Sequence, residues 1–174
     1  MSVAKLGRNV YLVGSREQGN ESNAYLLQTD SAIILIDTGG IEDPVNVIRN
    51  VLEISRGESR VDYLILTSCL RDAAAGTSFI SEVLGVKVVV HELDSVGVRH
   101  GNCGNTKYKP SRISLVIRDN QMRIGDVEII RSGSPTPGSI LVKFGENLFV
   151  GASKLRPISP KIKYVLGLYD YVRV

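Results

Sequence analysis

Tryptophan is absent from the 174 residues, and histidine and cysteine occur only twice each. Each scarcity removes a class of function. His91 and His100 are too few for a histidine-rich metal centre, and Cys69 and Cys103 are too few for the disulfide framework of a small secreted domain. Neither cysteine belongs to a CxxC pair, so both read as reduced thiols. No apolar run approaches the roughly 18 residues that span a bilayer. The opening "MSVAKLGRNVYLVG" passes directly into a strand pattern without a signal-peptide core, and the expectation is a cytoplasmic protein without membrane contact. Gly-x-Ser-x-Gly, Walker and dinucleotide fingerprints are missing too, which leaves serine-hydrolase and nucleotide-dependent chemistry without a sequence signal.

What is present is an ordinary globular composition, 43% apolar and 22% charged, enough for one domain over residues 1–174 with a buried core. The net charge of +3 is small but unevenly placed. Between Asp94 and Asp119 there is no acidic residue, while Arg99, Lys107, Lys109, Arg112 and Arg118 fall there. A second such stretch, Asn147 to Tyr169, carries Lys154, Arg156, Lys161 and Lys163. Basic surface of this kind attracts phosphate or an acidic partner, although solvated strand edges use the same residues.

The hydrophobic period changes along the chain. "NVYLVG", "NAYLLQT" and "AIILID" read as an antiparallel meander. After "TGG", Asp43 is a plausible N-cap with Pro44 at the first helical position, and Val45, Val47, Ile48, Val51, Leu52 and Ile54 form the apolar face of a helix running to near Arg56. "VDYLILT" and "VKVVVHE" lack alternation, as strands covered on both faces do, and "TSFISEVLG" between them reads as a short helix closed by Gly85. Gly101 to Pro110 reads as a polar loop. Strands return at "ISLVIR", at "QMRIGDVEIIR" with a turn at Gly125-Asp126, and at "SILVKF", "NLFVGA" and the closing "KIKYVLGLYDYVRV". The order predicts an α/β sandwich of two sheets with helices outside.

Four stretches, in order, resemble the motif layout of the metallo-β-lactamase superfamily. "NAYLLQTDSAIILIDTGG" is similar to its opening hairpin and Asp-Thr-Gly turn, and "VDYLILTSCLRDAAAG" to the strand ending in Thr-His-x-His-x-Asp-His-x-Gly-Gly. "VKVVVHELD" resembles the next strand and its His-Glu helix start. "RIGDVEIIRSGSPTPGSILVKFGENLFVGASKL" resembles the hairpin carrying Gly-His-Thr-Pro-Gly-Ser and the strand ending Leu-Phe-x-Gly-Asp. The resemblance extends from Asn9 to Leu155 and implies a four-layer αββα sandwich with a metal site on loops at one edge, where zinc activates water for hydrolysis.

The family's ligands fall here on Ser68, Leu70, Asp72, Ala73, Pro135 and Ala152. Zinc needs three or four nitrogen, sulfur or carboxylate donors. Of these six, only Asp72 is a strong one. The resemblance therefore implies a fold that has outlasted its metal: no metal, no cofactor and no hydrolase chemistry are expected. Asp72, just before Ala73-Ala74-Ala75, reads as a helix N-cap, and Asp37 resembles the family's loop-tying aspartate.

Two enzymatic alternatives stay open at this point. Cys69, Asp72, His91, His100 and Cys103 are the donors from which a replacement metal site would be drawn, with His100-x-x-Cys103 the best spacing. Cys69 near a helix N-terminus is the candidate thiol nucleophile. The favoured expectation is a binding or assembly component, with a protein partner or a second copy of the chain. The alternative is nucleic-acid or ribonucleoprotein binding through Arg99, Lys107, Lys109, Arg112, Lys154, Arg156, Lys161 and Lys163, with Tyr108, Tyr164 and Tyr169 to stack on bases.

Overall fold

The computed structural model describes residues 3–55, 60–154 and 159–174. Strands β1 (Ala4–Gly7), β2 (Val10–Gly14), β3 (Ala24–Gln28) and β4 (Ile33–Ile36) form an antiparallel meander, one strand longer than the sequence pattern indicated. The β3–β4 turn is closed by Thr29, whose hydroxyl oxygen accepts the Ala32 N–H at 2.9 Å. Helix α1 (Val45–Ile54) follows, then β5 (Tyr63–Ile65), α2 (Arg71–Ala74), α3 (Thr77–Leu84), β6 (Lys87–His91) and α4 (Glu92–His100). Gly85, at φ +63°, ends α3 in the left-handed conformation that glycine adopts without steric cost.

The expected N-cap at Asp43 is displaced by one residue. Pro44 occupies the cap position, and the Asp43 carbonyl accepts the Val45 N–H at 2.8 Å. The helix ends at Ile54, and Arg56 lies outside the described residues. The stretch from Gly101 to Pro110 is no plain loop. It holds the small hairpin β7 (Asn102–Cys103) and β8 (Thr106–Lys107), directly after α4. Strand β9 (Leu115–Ile117) then returns to the first sheet, parallel to β6.

The first sheet has the order β1-β2-β3-β4-β5-β6-β9, antiparallel up to β4 and parallel beyond it. The second is built from β10 (Gln121–Ile124), β11 (Val127–Arg131), β12 (Ile140–Phe144), β13 (Asn147–Gly151), β14 (Tyr164–Gly167) and β15 (Tyr171–Arg173), in that order. Only β13 and β14 run parallel in it. Alternation along the strands separates two cores. Leu26, Leu35, Leu64, Val88 and Val90 face helices α1, α3 and α4 through Val51, Ile80 and Val98. Leu27, Ile34, Ile36, Ile65 and Val89 face the second sheet through Ile129, Ile140 and Phe149. Burial of each such side chain is worth about 1.5–3 kcal/mol, so the two cores dominate stability.

Cys69 and Cys103 are not free thiols. They form a disulfide with a Cα–Cα distance of 5.7 Å, and the bond ties the loop after β5 to the β7–β8 hairpin. Closing a loop of 34 residues in sequence stabilises a folded chain by about 4 kcal/mol at most, mainly through the unfolded state. Denaturant unfolding in the presence of a thiol reductant is therefore expected to show stability lower by about 2–4 kcal/mol than unfolding without it. Superimposable curves would refute the cross-link.

Candidate functional site

The strand ends of both sheets meet in a cluster of loops where buried polar groups replace the apolar core. Asp37 ends β4 at φ +63°, a conformation that aspartate and asparagine tolerate better than most side chains. Its carboxylate accepts the Thr67 N–H at 2.8 Å and the Thr67 hydroxyl at 2.7 Å. Thr67 in turn connects the sheets: its carbonyl accepts the Ile140 N–H of β12 at 2.9 Å. Gly151 of β13 lies so close that a Cβ there would stand 2.4 Å from the Thr67 hydroxyl oxygen. Asp37 thus has the loop-tying role that its motif implied.

Asp94, in the first turn of α4, was not singled out by sequence and is the second buried carboxylate. It accepts the Cys69 N–H at 2.8 Å, the Gly138 N–H at 2.8 Å and the Thr136 hydroxyl at 2.5 Å. Its signal was the acid two residues after "HE", a position that binds helix N–H groups when exposed but binds neighbouring loops when buried. His91 caps α4, its Nδ1 accepting the Leu93 N–H at 3.2 Å, and its buried Nε2 has no hydrogen-bond partner among the described residues. With both cysteines in a disulfide and no three such donors converging among the described residues, the replacement metal site drawn from Cys69, Asp72, His91, His100 and Cys103 is not assembled. The same bond removes Cys69 as a thiol nucleophile.

The six mapped ligand positions lie on three segments at the strand ends: Ser68, Leu70, Asp72 and Ala73 after β5, Pro135 between β11 and β12, and Ala152 after β13. Ser68 is buried and its hydroxyl oxygen accepts the Leu70 N–H at 3.2 Å. Ala73 is buried, and its carbonyl accepts the Thr38 N–H at 3.0 Å and the Thr38 hydroxyl at 2.9 Å. Leu70 packs against the helix-side core, Pro135 is exposed, and Ala152 sits in the turn after β13. Asp72 is no N-cap. Leu70 holds that position without a side-chain cap, and the Asp72 carboxylate instead accepts the hydroxyl of Tyr169 from the β14–β15 turn. Burial, and then this hydrogen bond, push the Tyr169 hydroxyl up to about 12, while Arg16 lies over its ring at 5.3 Å from the centroid.

The basic candidates divide. Arg99 and Arg112 line one shallow groove with Pro110, Ser111 and Ile113. Lys107, Lys109, Lys154 and Lys161 are exposed, Lys163 pairs with Glu146 at 3.4 Å, and Arg156 lies outside the described residues. Tyr108 is buried and donates its hydroxyl to the Cys69 carbonyl at 2.6 Å, so it offers no face for base stacking.

Two mixed sheets, helices packed on the outer face, and a loop cluster at one edge joined through an Asp-Thr-Gly turn define the architecture. This is the metallo-β-lactamase fold. Similar solved structures include MIM-1 from Novosphingobium pentaromativorans, with a TM-score of 0.80 and 12% identity over 97% of this chain and 76% of that one. A Cronobacter sakazakii metallo-β-lactamase with a HARLDQ motif gives 0.77 and 16% over 96% and 80%. A B3 metallo-β-lactamase with an active-site glutamic acid gives 0.77 and 18% over 100% and 83%. At these identities the likeness is one of fold. No protein-family model matches the chain, and no curated protein matches it in sequence. Among the described residues, no helix is long and apolar enough to cross a membrane.

The metal that the fold implies does not fit the residues in its place. Among the described residues no three histidine, cysteine or acidic side chains converge to hold an ion. The one donor retained from the metallo-β-lactamase pattern, Asp72, is engaged by Tyr169.

Full burial pushes the Asp37 carboxyl up to about 7 against the two Thr67 hydrogen bonds that pull it down. The folded chain therefore binds this proton more tightly than the unfolded chain does. Its contribution to stability is complete below the ordinary value of 3.8 and is lost as pH rises through about 7. Asp37→Asn, which keeps the backbone preference and an acceptor for Thr67, is expected to remove roughly 2–4 kcal/mol of pH dependence between these limits. Urea titrations at several pH values check this, and an unchanged profile in the variant would sink the assignment.

Proposed function

We propose that this chain is a binding or assembly component on a metallo-β-lactamase fold, in which packing and hydrogen bonds occupy the place of a hydrolytic centre. A protein partner or subunit role is the reading favoured. The observation that carries it is the Tyr169–Asp72 contact. A hydroxyl donated from the C-terminal hairpin holds the last retained donor, while Ser68, Leu70, Ala73, Pro135 and Ala152 leave a metal ion nothing to bind. Water activation needs either such an ion or a poised base, and the nearby carboxylates of Asp37 and Asp94 are buried in hydrogen bonds to loops.

The experiment is metal analysis of protein purified without chelator, paired with hydrolysis assays on β-lactam, thioester and phosphodiester substrates. Far less than one zinc or iron per chain is expected, with no turnover above background. Near-stoichiometric metal whose removal abolishes an activity would overturn the reading.

A second reading is favoured by one observation, the convergence of Arg99 and Arg112 on a single groove in a stretch without acidic residues. Such a surface suits a polyanion, including nucleic acid. Single-stranded RNA binding that weakens steeply between low and moderate salt, and that Arg99→Glu and Arg112→Glu abolish, is the outcome this reading expects. Salt-insensitive or absent binding counts against it.

A further inference from the structure

The C-terminal strand β15 is the outermost strand of the second sheet, paired on one side with β14. Of the eight exposed large apolar side chains among the described residues, four, Tyr169, Tyr171, Val172 and Val174, fall within positions 169–174. Tyr171 and Val172 are 48% and 47% exposed, and neither proline nor lysine interrupts the edge. Strand edges of this kind are templates for further pairing; this one is three residues long and carries one charged side chain, Arg173, so any pairing partner must accommodate that charge. The strand is also held firmly in place. The β14–β15 turn is anchored to the first sheet, where the Tyr25 hydroxyl donates to the Gly167 carbonyl at 2.7 Å and the Asn23 N–H to the Leu168 carbonyl at 2.7 Å.

The phase of the ladder identifies what the open edge offers. The Gly167 N–H donates to the Asp170 carbonyl at 2.8 Å, and the Val174 N–H donates to the Lys163 carbonyl at 2.8 Å. Asp170, Val172 and Val174 therefore turn their backbone groups toward β14. By the alternation of an antiparallel pair, Tyr171 and Arg173 turn theirs outward. Their side chains lie over the groove between the sheets, which Leu6, Tyr164 and Leu166 also line.

We infer that β15 pairs with β15 of a second copy of this chain, antiparallel about a two-fold axis at Val172, so that the second sheet continues across a homodimer. The outward backbone groups belong to Tyr171 and Arg173 alone. The register that uses both from each copy places Tyr171 opposite Arg173 of the second copy, twice, with four backbone hydrogen bonds. That register sets each guanidinium beside a tyrosine ring rather than beside the other guanidinium, so the edge is complementary to itself in charge. It also brings the two Val172 side chains together on the outer face, beside Val165 and the small apolar cluster of Leu148, Val150 and Ile162. No described helix packs on that cluster.

The dimer names a partner for the binding role proposed above and rests on that reading only in this sense. A monomer would overturn the dimer and leave the metal-free centre standing, whereas zinc-dependent hydrolysis would do the reverse.

Sedimentation equilibrium of the full chain is expected to give twice the 19.0 kDa of one copy, with Arg173→Glu weakening association about tenfold or more. Val172→Cys supplies a thiol on the axis in a chain whose described cysteines are otherwise disulfide-bonded. Mild oxidation is expected to cross-link it into a dimer. Val174→Cys, which faces Asp170 of the second copy in this register, is expected to cross-link far less. A monomer at every concentration overturns the inference. So does a dimer that keeps its affinity in Arg173→Glu and gives no cross-link through Val172→Cys. The cross-link is read on folded protein, so it decides the matter even if Arg173→Glu fails to fold.

Discussion

The Asp94 carboxylate is the constraint on which the loop cluster depends. It reaches from the first turn of α4 to the loop after β5 through the Cys69 N–H, and to the β11–β12 loop through Thr136 and the Gly138 N–H. Those segments belong to different sheets, so a single side chain closes the end of the sandwich. Each hydrogen bond to a charged acceptor is worth about 1.5–3 kcal/mol, and its loss would leave a buried N–H unpaired. The approach is so close that Gly138 admits no side chain: a Cβ would stand 2.6 Å from the Asp94 backbone nitrogen. The glycine of "TPGS" is therefore required by its packing against Asp94.

Around that node the remaining cross-links form a consistent set. Asp37 binds Thr67, Thr67 binds the second sheet, Tyr169 binds Asp72, and the disulfide fastens the β7–β8 hairpin to the same strand end. Loops at strand ends carry backbone groups that no ladder satisfies, and something must pair them when they are buried. A metal ion can organise such loops by gathering side chains from several of them at once. Here carboxylates, hydroxyls and a disulfide join the loops in pairs and triples. These links tie the loops to one another directly, side chain to side chain or backbone and sulfur to sulfur.

Much of this was legible in the sequence because periodicity reports burial directly. The unbroken runs at Leu64–Leu66 and Val88–Val90 predicted strands covered on both faces, and Gly125-Asp126 predicted the β10–β11 turn. What escaped were contacts between residues distant in sequence. Cys69 and Cys103 are separated by 34 positions, and nothing local brings their thiols together; α4 and the β7–β8 hairpin do so in three dimensions. Asp72 matched the local pattern of an N-cap, but its partner Tyr169 lies 97 residues away. Tyr108, set among lysines, looked like a stacking platform, and its hydroxyl turned inward to the Cys69 carbonyl. Local pattern gave the elements, and the family resemblance gave the positions where a metal ligand would stand, while the tertiary arrangement alone set which groups meet.

The same arrangement links the loop cluster to the far edge of the second sheet. Strands β14 and β15 form one hairpin whose turn is bound to the first sheet by Tyr25 and Asn23. From that turn Tyr169 points to Asp72 with Arg16 over its ring, and two residues later Tyr171 stands on the open edge. Tyr169 cannot reach Asp72 unless the turn is seated, and a seated turn fixes the direction in which β15 leaves it. The contact that engages the last retained donor thus also holds the outermost strand in position. The hairpin therefore closes over the loop cluster at its turn and presents β15 at the sheet edge in one fixed direction.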